Sequence, residues 1–69
     1  MMKLTKRLEE LRIEKGVSQT QVAKDIGISK SAYNYYENGI KEPTASVLIK
    51  LADYFNVCID YLVGRQDWY

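Results

Sequence analysis

Ser18 and Ser29 each stand directly before a short run of helically spaced apolar residues, and only Gly27 and Ile28 separate the end of the first run from the cap of the second. Ser18 is followed by Gln21 at the capping-box position, where hydroxyl and amide can satisfy each other's orphan backbone donors. The run that follows places Val22, Ala23 and Ile26 on one face. It ends at Gly27, which tolerates the left-handed geometry that closes a helix. Ser29 then caps a run to about Glu37, terminated by Asn38 and Gly39. Two helices of about two turns, joined this tightly, must pack as a compact pair.

The rest of the chain carries the same punctuation. Leu4, Leu8 and Leu11 form one apolar stripe in a first helix from Leu4 to Lys15, stopped by Gly16. After a loop containing Pro43, Thr44 caps a fourth helix whose Val47, Leu48, Leu51, Ala52 and Phe55 follow helical spacing until Asn56 and Val57 break it. A short fifth helix from about Ile59 to Val63 carries Leu62 inward and stops at Gly64. No strand signal appears. The expectation is an all-α fold of five helices in one domain, residues 1–64, with a tail, residues 65–69; 69 residues suffice for one modest core.

Composition excludes several functions. An apolar share of 46% with 28% charged residues fits an ordinary folded domain. No run approaches the roughly 18 apolar residues of a spanning helix, and no signal peptide is evident, so a cytoplasmic protein without membrane contact is expected. A single Cys58 and the absence of His leave neither an internal disulfide nor a zinc or thiol–imidazole site. Carboxylates are scattered without a nucleophile or base beside them, so neither an enzyme nor a cofactor is expected. The net charge of +1 is polarised: residues 1–30 carry seven Lys/Arg against four Asp/Glu, residues 31–69 three against five. That asymmetry permits nucleic-acid binding without deciding it.

Helical phase sorts the third helix into two sides. Ala32, Tyr33 and Tyr36 fall on one, Lys30, Ser31 and Asn34 on the other. Counted as aromatics alone, Tyr33 and Tyr36 suggest a base-stacking platform, but their inward phase assigns them to the core.

The residues from Ser18 to Ser29, then Tyr36, Glu37, Asn38, Gly39 and Pro43, resemble the Cro and lambda-repressor type of helix-turn-helix protein, the XRE family. The likeness covers about residues 4–64 and includes the closing segment from Asn56 to Gly64. It implies a helix-turn-helix formed by the second and third helices, with the third entering the major groove and the second crossing the backbone. By this resemblance Lys30, Ser31, Asn34, Tyr35 and Ser29 read bases, Gln19, Ser18, Asn38 and Lys41 lie near phosphates, and Gln19 also braces the next helix. Tyr35 departs from the family pattern, which favours a polar or basic residue there; stacking on a sugar, contact with a thymine methyl and plain exposure all remain open. Cys58 departs too: the family pattern favours a capping Ser or similar residue there, a thiol is a poorer acceptor, and the start of the fifth helix is expected to fray. Arg12 and Glu37 match a structural ion pair that orients the reading helix.

What the resemblance implies is a sequence-specific regulator of transcription, a repressor binding a two-fold operator in double-stranded DNA as a homodimer. The dimer contact is expected at Tyr61, Val63, Trp68 and Tyr69, which give more apolar surface than a small monomer normally exposes; the alternative is that the tail folds back on its own domain. No small-molecule effector is expected, because the chain leaves no room for a sensor domain. The rival reading is a protein-interaction module of the same fold, of antitoxin or antirepressor type, which the low net charge keeps open.

Overall fold

The computed structural model describes residues 2–69, which form helices α1 (Met2–Lys15), α2 (Gln19–Ile26), α3 (Lys30–Glu37), α4 (Ala45–Phe55) and α5 (Ile59–Leu62). Four of them start at a side-chain cap. Ser18 Oγ accepts from the Gln21 N–H (3.1 Å) and Ser29 Oγ from the Ala32 N–H (3.0 Å). Thr44 Oγ1 accepts from the Val47 N–H at 3.4 Å. Such caps contribute about 1 kcal/mol each to helices too short to hold themselves in water.

Two local expectations are corrected. The capping box at Ser18 is only half formed: the Gln21 amide donates to Asp25 Oδ1 one turn further on (2.7 Å), where a carboxylate is the stronger acceptor. The start of α5 is capped by its thiol. Cys58 Sγ accepts from the Tyr61 N–H at 3.4 Å and also receives the Gln66 amide at 2.8 Å. The large sulfur reaches donors that a shorter acceptor would miss.

The helices enclose one core. Leu4, Leu8 and Leu11 of α1 meet Val22, Ala23 and Ile26 of α2, Tyr33 of α3, and Leu51, Ala52 and Phe55 of α4, with Val57 and Leu62 closing the end. Full burial of each Leu-sized side chain is worth about 1.5–3 kcal/mol, and most of the chain's stability comes from this cluster. α1 is the central strut, lying against α3, α4 and α5. Tyr54 of α4 ties α2 to this frame by donating to Asp25 Oδ2 at 2.7 Å. Burial, then that bond, pushes its hydroxyl pKa up to about 12.

Residues 65–69 turn back onto the domain. Gly64 makes the reversal at φ +89°, and the stem of Lys3 lies where a Cβ would stand, only 2.5 Å from its ideal position. Any larger residue there faces both a strained backbone and a clash. The guanidinium of Arg7 then donates to the carbonyls of Tyr61 and Gln66 (2.7 Å for the latter), reaches Asp67 Oδ1 at 3.3 Å and covers the Tyr61 ring at 4.1 Å. The Cys58 N–H donates to the Tyr69 carbonyl at 3.0 Å, and the rings of Tyr61 and Tyr69 meet edge to face at 4.9 Å.

Candidate nucleic-acid interface

Everything that orients α3 lies behind it. Tyr33 is fully buried, and Tyr36 packs half-buried against the core. Glu37, in the last turn, is the one buried charged side chain among the described residues, and Arg12 of α1 meets it twice over. Arg12 Nε donates to Glu37 Oε2 and Nη2 to Oε1, both at 3.0 Å, in the paired geometry that best suits a carboxylate. The Glu37 side chain is 2% exposed, the Arg12 side chain 18%. A third bond, from Arg12 Nη1 to the Val17 carbonyl (3.1 Å), fixes the guanidinium to the loop before α2. The hydrogen bonds to Glu37 hold the guanidinium proton more firmly than usual, against the opposing effect of burial. One cation thereby locks α1, the entry to α2 and the exit of α3 together.

The Tyr33 hydroxyl sits close enough to Glu37 to feel its charge but outside hydrogen-bonding geometry, and it has no partner. Burial, and then the nearby carboxylate, push its ionisation far above the usual tyrosine range.

In front of α3 the side chains are lightly engaged. Ser29, Lys30 and Ser31 are exposed, and no hydrogen bond from another described residue holds the side chains of Lys30 or Ser31. Ser29 and Ser18 each accept one backbone N–H as caps, and each keeps its hydroxyl proton to donate. Asn34 Nδ2 donates to Gln19 Oε1 at 3.1 Å, tying the first residue of α2 to the middle of α3. One N–H and the carbonyl oxygen of Asn34 remain, which is the donor–acceptor pair that fits an adenine edge. Tyr35 is 36% exposed at the flank, Asn38 and Lys41 are exposed in the loop after α3, and the Lys41 ammonium lies 5.2 Å from the Tyr35 ring centre.

At the far end of the chain, Trp68 is 70% exposed and Tyr69 57%, while Tyr61 and Val63 are half-buried. Tyr61 has both Arg7 and Tyr69 against its ring, so less of it is free than its sequence position suggests. No sequence signal singles out Arg7 among the charged residues of α1. Its partners lie 54 to 60 positions away, and no periodicity connects them. Among the described residues no His, Cys, Asp or Glu group gathers to hold a metal ion, and no helix is long and apolar enough to cross a membrane.

A family model described as Helix-turn-helix matches residues 8–62. The chain is 35% identical over 66 residues to the HTH-type transcriptional regulator ImmR of Bacillus subtilis (strain 168), covering 96% of this chain and 52% of that protein. It is 42% identical over 64 residues to the cryptic phage CTXphi transcriptional repressor RstR of Vibrio cholerae, covering 93% of this chain and 57% of the repressor. The chain spans about half the length of these curated relatives. Among solved structures it is similar to a transcriptional regulator from Listeria innocua, with a TM-score of 0.82 and 34% identity over 88% of this chain and 57% of the other. The P22 c2 repressor in complex with a synthetic operator gives the same TM-score of 0.82 at 25% identity, over 86% of this chain and 89% of that one.

Proposed function

The chain belongs to this helix-turn-helix family, of the XRE type, and from that premise we propose that it regulates transcription as a repressor, binding a two-fold operator in double-stranded DNA as a homodimer. The observation that carries the reading is the contrast across α3. Its back is locked by Tyr33 and the Arg12–Glu37 pair, while its front presents Lys30, Ser31 and part of Asn34 unengaged. A rigid helix with free donors and acceptors is what reading base edges requires. The likeness to a repressor solved on its operator supports the same docking, with α3 in the major groove and α2 across the backbone.

In this reading Lys30, Ser31, Asn34, Tyr35 and Ser29 face bases, whereas Gln19, Ser18, Asn38 and Lys41 face phosphates. The Asn34–Gln19 bond gives the expected brace from Gln19 to the next helix a partner in the middle of α3. Gln19 is a positioning residue for Asn34 as well as a phosphate contact, so replacing it perturbs base choice along with affinity. Two half-sites roughly 34–36 Å apart supply the recognition length that a single module lacks. The dimer contact is assigned to the exposed apolar surface of Trp68 and Tyr69 with Tyr61 and Val63 beside them, built on a tail that stays folded on its own domain.

Selection of bound duplexes from a random pool tests the reading. A defined two-fold sequence, bound with a steep loss of affinity as salt rises, is the expected outcome. Binding without salt dependence or sequence preference overturns it in favour of the protein-interaction module. The dimer is tested by sedimentation of the chain and of Trp68→Ser. The wild type is expected to sediment as a dimer and the variant to shift toward monomer. Monomers for both, at concentrations on the order of tens of micromolar, overturn the tail-side contact.

A further inference from the structure

α3 ends in a backbone turn with a consequence for its outer face. The Gly39 N–H donates to the Tyr36 carbonyl (3.4 Å) and the Ile40 N–H to the Tyr35 carbonyl (2.9 Å), the bond pair of a Schellman closure. The Lys41 N–H reaches the same Tyr35 carbonyl at 3.4 Å. Gly39 supplies the left-handed residue at φ +76°, with Thr5 of α1 packed 3.3 Å from where a Cβ would stand, so the turn has one path open to it. That path brings Lys41 back over the residue whose carbonyl anchors it, placing the ammonium 5.2 Å from the Tyr35 ring centre. Tyr35 remains 36% exposed on the flank of the α3 face.

We propose that Tyr35 and Lys41 act as one specificity element, in which the Lys41 ammonium holds the Tyr35 ring so that the ring contacts the C5-methyl of a thymine at the margin of each half-site. The inference rests on the reading that α3 lies in the major groove. The thymine methyl is the one apolar group that base edges present there, and an aromatic ring is the apolar group this face offers in return. A free, half-exposed ring samples several rotamers and gives up that freedom on contact. A cation over one face holds the ring in advance and leaves the opposite face and the edge for the base. Lys41 is therefore a positioning residue, and its loss acts on base choice. A lysine that served only phosphate would weaken every duplex by the same factor.

The test uses the intact chain and its selected operator, with thymines replaced one at a time by deoxyuridine, which removes only the methyl. At one position per half-site the wild type is expected to lose about two- to fivefold in affinity, the worth of one buried methyl group. Tyr35→Ala should lose that sensitivity, Lys41→Met should reduce it and Lys41→Arg should restore it, all at a fixed salt concentration. If Lys41→Met weakens all duplexes equally and keeps the full deoxyuridine effect, the lysine is a phosphate contact alone and the proposal fails. It also fails if the wild type is indifferent to deoxyuridine at every position. Absence of any salt-dependent duplex binding by the wild type would instead remove the underlying DNA reading, a result distinct from both.

Discussion

The α2–α3 pair and the α5–tail segment are both short and capped by side chains, yet their polar groups are engaged differently. In the first, the strong contacts lie behind the helix, at Arg12 and Glu37, and the outward groups of Lys30 and Ser31 are left unused. In the second, many of the polar groups are consumed within the chain: Arg7 of α1 takes two carbonyls and a carboxylate there, and Cys58 takes two N–H donors. A face whose polar groups are satisfied internally has little left to offer a polar ligand. The largest side chains that the tail leaves exposed are the aromatic Trp68 and Tyr69, beside the charged Arg65 and Asp67. In the proposed function, polar recognition therefore falls to one end and apolar association to the other.

The sharpest way to break it is to remove the lock behind α3. Arg12→Ala strands a carboxylate that is 2% exposed, and urea unfolding should show a loss of about 3 kcal/mol or more. Glu37→Ala leaves its partner nearer to water, at 18% exposure, and should cost less. The double variant should cost less than the two single losses combined, and strict additivity would mean that the two sites are independent.

Arg7→Met should be next in size. It removes charge-assisted bonds to two carbonyls in a largely buried site, a loss of about 1.5–3 kcal/mol, and should speed amide exchange at Cys58, whose N–H is held by Tyr69. Operator choice should not change. A changed base preference would show that the two ends are not separable.

Tyr33→Phe should stabilise the fold by about 1 kcal/mol, because it deletes a buried hydroxyl that has no partner. It also has a pH signature. The folded pKa of Tyr33 is raised above the ordinary value of 10.0, so the folded state holds its proton more tightly than the unfolded chain. Stability is therefore full below about pH 10 and falls as pH rises past it. Tyr33→Phe should make that alkaline loss shallower in unfolding midpoints measured across the range. An unchanged slope would mean that the hydroxyl is solvated.

Cys58→Ser should have the smallest effect, within a few tenths of a kcal/mol. The hydroxyl is the better cap but reaches less far toward Gln66. A loss above about 1 kcal/mol in thermal unfolding would make the thiol's reach essential to the tail.

What could be read in advance follows from range. Ser18, Ser29 and Thr44 act on N–H groups within their own first turns, so caps and helix bounds were visible in the sequence. Phase alone assigned Tyr33 inward and Lys30 and Ser31 outward. Gln21 misled because two acceptors lie within reach of its amide, its own cap and Asp25, and the sequence offers no way to choose between them. Cys58 misled because its capping strength is shared with Gln66, a partner that only the returning tail delivers.

The sequence by itself determined the five-helix order, the core stripe of Leu4, Leu8 and Leu11, and the polar front of α3. Each depends on residues within one or two turns, where helical geometry fixes distance before any packing occurs. Only the tertiary structure decided that Asn34 leans on Gln19, that Lys41 turns back over Tyr35, and that Arg7 clamps the tail. Those contacts depend on angles between elements, and these are set by packing around α1, which no local spacing encodes.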